Sequence, residues 1–142
     1  MGKMKRFLNV SFIYAIAAMV AGVFYRELTK FNDFTGVTAL GKVHTHLFFL
    51  GMIMFLIVAL FAANSELRKQ KFFGAFFVFY NIGVVLTAIM MVTRGIVEVL
   101  SIEISNAFDV LISAASGVGH ACTGIGIVLL FLTLKKISIK SK

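Results

Sequence analysis

The chain has 142 residues, 60% of them hydrophobic, with 16 Phe, 7 Met, no Pro and no Trp, a mean hydropathy of +0.98 and a formal net charge of +8. That is too apolar for a soluble domain and reads as an integral membrane protein. No basic stretch is interleaved with aromatics in a soluble module, which excludes a nucleic-acid partner. The single Cys122 excludes an internal disulfide, a redox dithiol and a covalently attached c-type haem.

A hydrocarbon core takes about 20 predominantly apolar residues as helix, and four stretches qualify: 7–24, 43–63, 72–92 and 107–134. They predict an all-α, integral membrane four-helix bundle, one transmembrane domain over residues 1–142. The first stretch follows a basic MGKMKR. Its apolar run is longer than a signal-peptide core and AGVFYREL is a poor cleavage site, so it is read as the first helix.

An outer loop from Arg26 to Lys42, with FNDFTG at its middle, leads to the second helix, which opens on GKVHTHLFFLGM. The third helix is charge-free and runs into a second outer loop, Arg94 to Asn106, in which SIEIS alternates but is too short for a strand. The fourth helix contains SAASGVGHACTGIG, residues 113–126, almost all small. Such residues let helix backbones approach closely in a bilayer, and they also leave room for a flat group. The sequence admits both uses.

Lys3, Lys5, Arg6, Arg68, Lys69, Lys71, Lys135, Lys136, Lys140 and Lys142 are ten of the fourteen Lys and Arg, and they lie at the two termini and in the middle loop. By the positive-inside bias both termini are expected to be cytoplasmic, with the basic ends against anionic membrane lipid.

Ionisable side chains at membrane depth are costly and mark functional sites by default, so the three histidines carry most of the functional signal. With the second and fourth helices both running outside to inside, His44, His46 and His120 fall in the outer half of the bilayer at comparable depth. His44 and His46 are about 200° apart around a regular helix and point to nearly opposite sides. The His44 side carries Gly41, Phe48 and Gly51, the His46 side Lys42, Phe49 and Leu50, and the His120 side Ser113, Ser116, Gly117, Thr123 and Gly124. A bland reading of His120, a neutral imidazole bonded to a neighbouring carbonyl, stands beside the functional one.

A mononuclear zinc or copper site wants three or four ligands converging at about 2 Å, and two of the three histidines point apart. Haem needs one or two axial ligands, usually His. The small face with Gly117 and Gly124 would admit a porphyrin lying against the backbone beside His120. The expected cofactor is haem b held by His46 and His120, within or between protomers, with a second haem or a metal at His44. Arg94 and Lys42 stand at the right height for its propionates, although an i,i+4 pair of Arg94 with Glu98 is an equally simple use of that arginine.

VHTHLFFLGM resembles the tenth helix of the haem–copper oxidase catalytic subunit, where an H-x-H pair followed by a small residue and Met ligates two haems from opposite faces. The whole chain looks like a bacterial family of small four-helix membrane proteins of unknown function, with NnrS-type haem proteins and the oxidases as distant relatives. Four helices match one of the oxidase's three arcs, so the resemblance implies a homotrimer of twelve helices in a bacterial cytoplasmic membrane. The third helix has no histidine, so the oxidase's copper ligands have no counterpart, and what carries over is haem ligation by His46 and His44.

The expected function is a b-type haem membrane protein for electron transfer or for binding a diatomic gas such as O2 or NO, with a quinol or another redox partner and room for haem-dependent oxidoreductase activity. Two other readings use the same residues: a non-haem transporter or channel subunit moving metal or protons through the histidines, and an assembly partner of a respiratory complex. Tyr14, Asn9, Tyr80 and Asn81 are polar groups in helices that could contact a quinol, but such residues more often bond to a neighbouring helix.

Overall fold

The computed structural model describes residues 2–140. Lys142 and the side chains of Lys3 and Lys140, counted above among the basic ends, lie outside the described residues. The chain is all α, and four of its helical spans are long and apolar enough to cross a membrane.

Helix α1 covers Gly2–Phe31. The second span is compound: a 3-10 turn Ala39–Lys42, α2 Val43–His46, a π-helical segment Leu47–Ile53 and α3 Met54–Asn64. A 3-10 turn Leu67–Lys69 leads into α4, Phe73–Val99, and then α5, Asn106–Lys140. The helices outrun the predicted apolar stretches because nothing stops them there. Arg26, Glu27, Thr29 and Lys30 are helix-compatible and leave the membrane without breaking α1, which ends where Asp33 takes a left-handed φ of 48°. The expected loop from Arg94 to Asn106 shrinks in the same way, since Arg94 and Glu98 still belong to α4 and SIEIS forms no strand.

Packing follows chain order. The second span lies along α1 and against α4, while α5 is packed along α4 with no comparable seam against α1. The arrangement is an open row of four rather than a closed square. At one end Phe7 meets Phe73 edge-on, with ring centroids 5.6 Å apart, and Arg6 lies 5.0 Å from the Phe77 ring centroid. That end gathers the start of α1, the 65–72 connection and the latter part of α5.

Aromatic rings fill the interior between α1, α3 and α4. Tyr14 stacks on Phe55 at 5.7 Å, and Phe55 in turn meets Phe77 and Tyr80 edge-on. Other rings, such as Phe12, Phe31 and Phe49, point outward, as lipid-facing side chains of a spanning helix do.

The opposite end is tied by polar groups. Thr38 caps the second span, its hydroxyl accepting from Leu40 N and donating to the Gly95 carbonyl. Glu98 of α4 accepts from Ala39 N at 2.7 Å. An anionic acceptor at a helix start satisfies an otherwise free N–H and complements the helix dipole.

Candidate functional site

The small stretch of α5 splits into two faces. Gly119, Thr123 and Gly126 are buried and face α4. A Cβ on Gly119 would stand 2.5 Å from Thr87 Oγ1, one on Gly126 2.8 Å from Tyr80 Cβ, and one on Gly83 would run into Thr123. These glycines let the two backbones touch. Thr123 therefore belongs to this seam and not to the His120 face expected for it. It sits about 60° around the helix from His120, enough to turn it under α4.

The other face is open. Ser113, Gly117, His120 and Gly124 are all exposed, and a Cβ added at Gly117 or Gly124 would meet nothing within 4 Å. The two glycines thus leave flat backbone one turn above and one turn below the imidazole.

Above this face lies a cleft of 260 Å³ lined by Ala39 from the second span, Met90, Met91 and Arg94 from α4, and Ile112, Ser113, Ser116 and Gly117 from α5. Arg94 crosses to α5: it pairs with the Asp109 carboxylate and donates to Ser113 Oγ at 3.0 Å. Glu98, the same-helix partner weighed from the sequence, serves Ala39 N instead. Ser113 and Ser116 belong to the face expected around His120, whereas Asp109 and the two methionines were not assigned to a site from the sequence. The only hint was a lone base near the end of one apolar helix and a lone acid near the start of the next.

Neither His46 nor His120 lines the cleft itself; each lies further along a helix that does. In the 3-10 turn Ala39 and Lys42 eclipse, and Lys42 and His46 are i,i+4 on one helix face. On α5, Ser116 and Gly117 line the cleft and His120 lies one turn beyond. The levels match as well. Along α4 the second span touches Gly95 at Leu40 and Tyr80 at Leu50, which sets His46 about level with Thr87; Gly119, beside His120, packs on Thr87 itself.

The two imidazoles share a local geometry. His46 Nδ1 is 3.0 Å from the Lys42 carbonyl and His120 Nδ1 is 2.8 Å from the Ser116 carbonyl. A carbonyl only accepts, so each ring carries its proton on Nδ1 and keeps the Nε2 lone pair for a ligand. Bonding to a carbonyl, the bland use of His120, and readiness to ligate are therefore the same arrangement.

His44 points elsewhere. Its Cβ lies 3.7 Å from where a Cβ on Gly22 would stand, so it faces α1, and its Nδ1 is buried without a hydrogen-bond partner. Lys42 is exposed, four residues before His46. Among the described residues no three of His, Cys, Asp or Glu come together.

The polar groups weighed as quinol contacts are spent on packing. Tyr14 Oη donates to Asn81 Oδ1 and Tyr80 Oη to the Leu50 carbonyl, each at 2.8 Å, while Asn9 is exposed on α1.

The family profile described as "Protein of unknown function (DUF2871)" matches residues 4–137. The chain belongs to the DUF2871 family. No curated protein and no solved structure matches it. The DUF2871 match runs through all four spans, so the cleft and all three histidines lie within it.

Proposed function

We propose that this membrane protein binds haem b through His46 and His120 for electron transfer, with diatomic gas binding reserved for an open site such as one held by His44. The observation that carries the reading is the matched pair of imidazoles. They stand at about one level, each further along a helix that lines the cleft, and each has Nδ1 engaged by the carbonyl four residues back and Nε2 free.

The residues fit the group. Gly117 and Gly124 leave space beside His120 for a flat ring, Met90, Met91 and Ile112 give an apolar edge, and Lys42 and Arg94 bring positive charge to the outer end where propionates would lie. Arg94 would hold a propionate while sharing its charge with Asp109. Carbonyls fix the ring orientation of both ligands, the outer-shell control that tunes a metal centre. Haem held by His46 and His120 would supply one-electron chemistry, and only a haem held by a single residue, such as His44, would take up O2 or NO. His44, buried against α1 with an unsatisfied Nδ1, is the candidate ligand for a second haem or a metal.

A cleft of 260 Å³ is below the roughly 300–1,000 Å³ of small-molecule sites. One chain would enclose only an edge of the haem, which favours completion by a second copy, and a homotrimer is the assembly proposed. Ten of fourteen Lys and Arg at the termini and the middle connection support cytoplasmic termini in a bacterial cytoplasmic membrane. The kinship proposed with the haem–copper oxidase subunit rests on VHTHLFFLGM.

Absorption spectra of protein purified from haem-replete cells test this. A Soret peak and a reduced α band are expected, lost in His46→Ala and His120→Ala, and carbon monoxide added to the reduced form reports whether a coordination position is free. Colourless wild-type protein would overturn the proposal.

A further inference from the structure

The second span is π-helical from Leu47 to Ile53, starting at the residue after His46. π-turns are rare and cluster at functional sites. In this one the groups that hold it come from two other helices. Ser11 Oγ of α1 donates to the Met52 carbonyl at 2.8 Å and Tyr80 Oη of α4 donates to the Leu50 carbonyl at 2.8 Å. Between those carbonyls sits Gly51, where a Cβ would collide with the Tyr14 ring. Tyr14 is itself pinned by Asn81, whose amide nitrogen donates to the Phe77 carbonyl at 2.7 Å. Ser11 is 2% exposed and Tyr80 0%, so these hydroxyls have no water to turn to.

An isolated π-turn is a poor helix, with one residue more than the α-helix would use. If the turn closed to α-helix with that residue retained, everything before it would rotate by about 100° relative to everything after. Below the turn, Phe55, Val58, Ala59 and Ala62 are anchored in the core. Above it stand His44 and His46. We infer that Ser11 and Tyr80 are positioning residues: by holding the π-turn open they set the rotation that turns His46 to the cleft and His44 to α1. What the histidines hold rests on the haem reading; how they are aimed does not.

The test uses the full-length protein in detergent, with Tyr80→Phe and Ser11→Ala, each of which removes a hydroxyl and little volume. Two measurements need no haem. Amide hydrogen exchange over residues 50–56 is expected to run roughly tenfold faster in each variant, the scale of one lost hydrogen bond. Carbethoxylation rates of His44 and His46 are expected to change at least about threefold against His120, which sits on another helix and serves as internal reference. Unchanged exchange, or faster exchange with unchanged histidine rates, overturns the inference.

Where wild-type protein carries haem, Tyr80→Phe is also expected to shift the α band and the reduction potential at unchanged haem per chain. A wild type without haem defeats the haem reading and leaves the first two measurements to decide the aim of the histidines.

Discussion

At the scale of single residues, the glycines of α5 separate structure from site. Gly119 and Gly83 lie where a side chain has no space, so Gly119→Val is expected to destabilise by about 1–3 kcal/mol, the usual cost of overpacking, measured as a lower unfolding midpoint in detergent. Gly117→Val and Gly124→Val place their methyls in open space. They are expected to stay within about 0.5 kcal/mol of wild type while haem incorporation falls, since a branched side chain beside His120 occupies the space of the ring. Equal haem content in all three variants would detach the open face from cofactor binding. The composition of SAASGVGHACTGIG was legible as either use. Which glycine serves which depends on the phase of α5 against α4, a contact between helices that a one-helix pattern does not contain.

At the scale of elements, span number and order were readable because about 20 apolar residues suffice to declare a membrane crossing. The helix ends were not, since hydropathy reports where the membrane stops and α1 and α4 continue as polar helix past that point. The π-turn was also invisible: LFFLGMI is ordinary apolar sequence, and its irregularity comes from Ser11, Tyr14 and Tyr80 pressing on it from elsewhere. Deleting Phe49, an outward-facing residue within the turn, removes the extra residue and is expected to let the span close as a regular α-helix with His44 and His46 still in phase with the anchored α3. Helical circular dichroism and haem should both be retained; loss of haem with the circular dichroism retained would show that the turn does more than take up one residue. At the top of the same span the Thr38 cap is expected to contribute about 1 kcal/mol. Thr38→Ala should lower thermal stability by that much, with Glu98→Gln smaller because its amide oxygen still accepts from Ala39 N.

At the scale of the molecule, the open row decides what an assembly must look like. α5 has one packed side, against α4, and its Ser113, Gly117, His120 and Gly124 are exposed, with no other helix packed over His120 and Gly124. At the far edge α1 presents Phe12, Ile13, Ile16, Met19, Val20 and Val23 outward. A ring of identical copies needs two different complementary surfaces, whereas a two-fold dimer pairs one surface with itself. A row with unlike edges suits the ring, and in it α5 of one copy would lie on α1 of the next. The levels can be read off the contacts: Gly51 meets Tyr14, Gly22 meets His44 and Tyr80 meets both Leu50 and Gly126. Residue Gly124 is then about level with Ile16 on α1. With Cys122→Ser removing the native thiol, mixing Gly124→Cys and Ile16→Cys chains should give disulfide-linked dimers on mild oxidation, whereas Gly124→Cys alone should give few. Efficient cross-linking of Gly124→Cys to itself would instead specify a two-fold pair on α5, bringing two His120 side chains together and replacing His46 as the second axial ligand. No cross-link in either experiment, with a monomer mass in detergent and in lipid nanodiscs, would rule out the ring and leave His120 facing lipid.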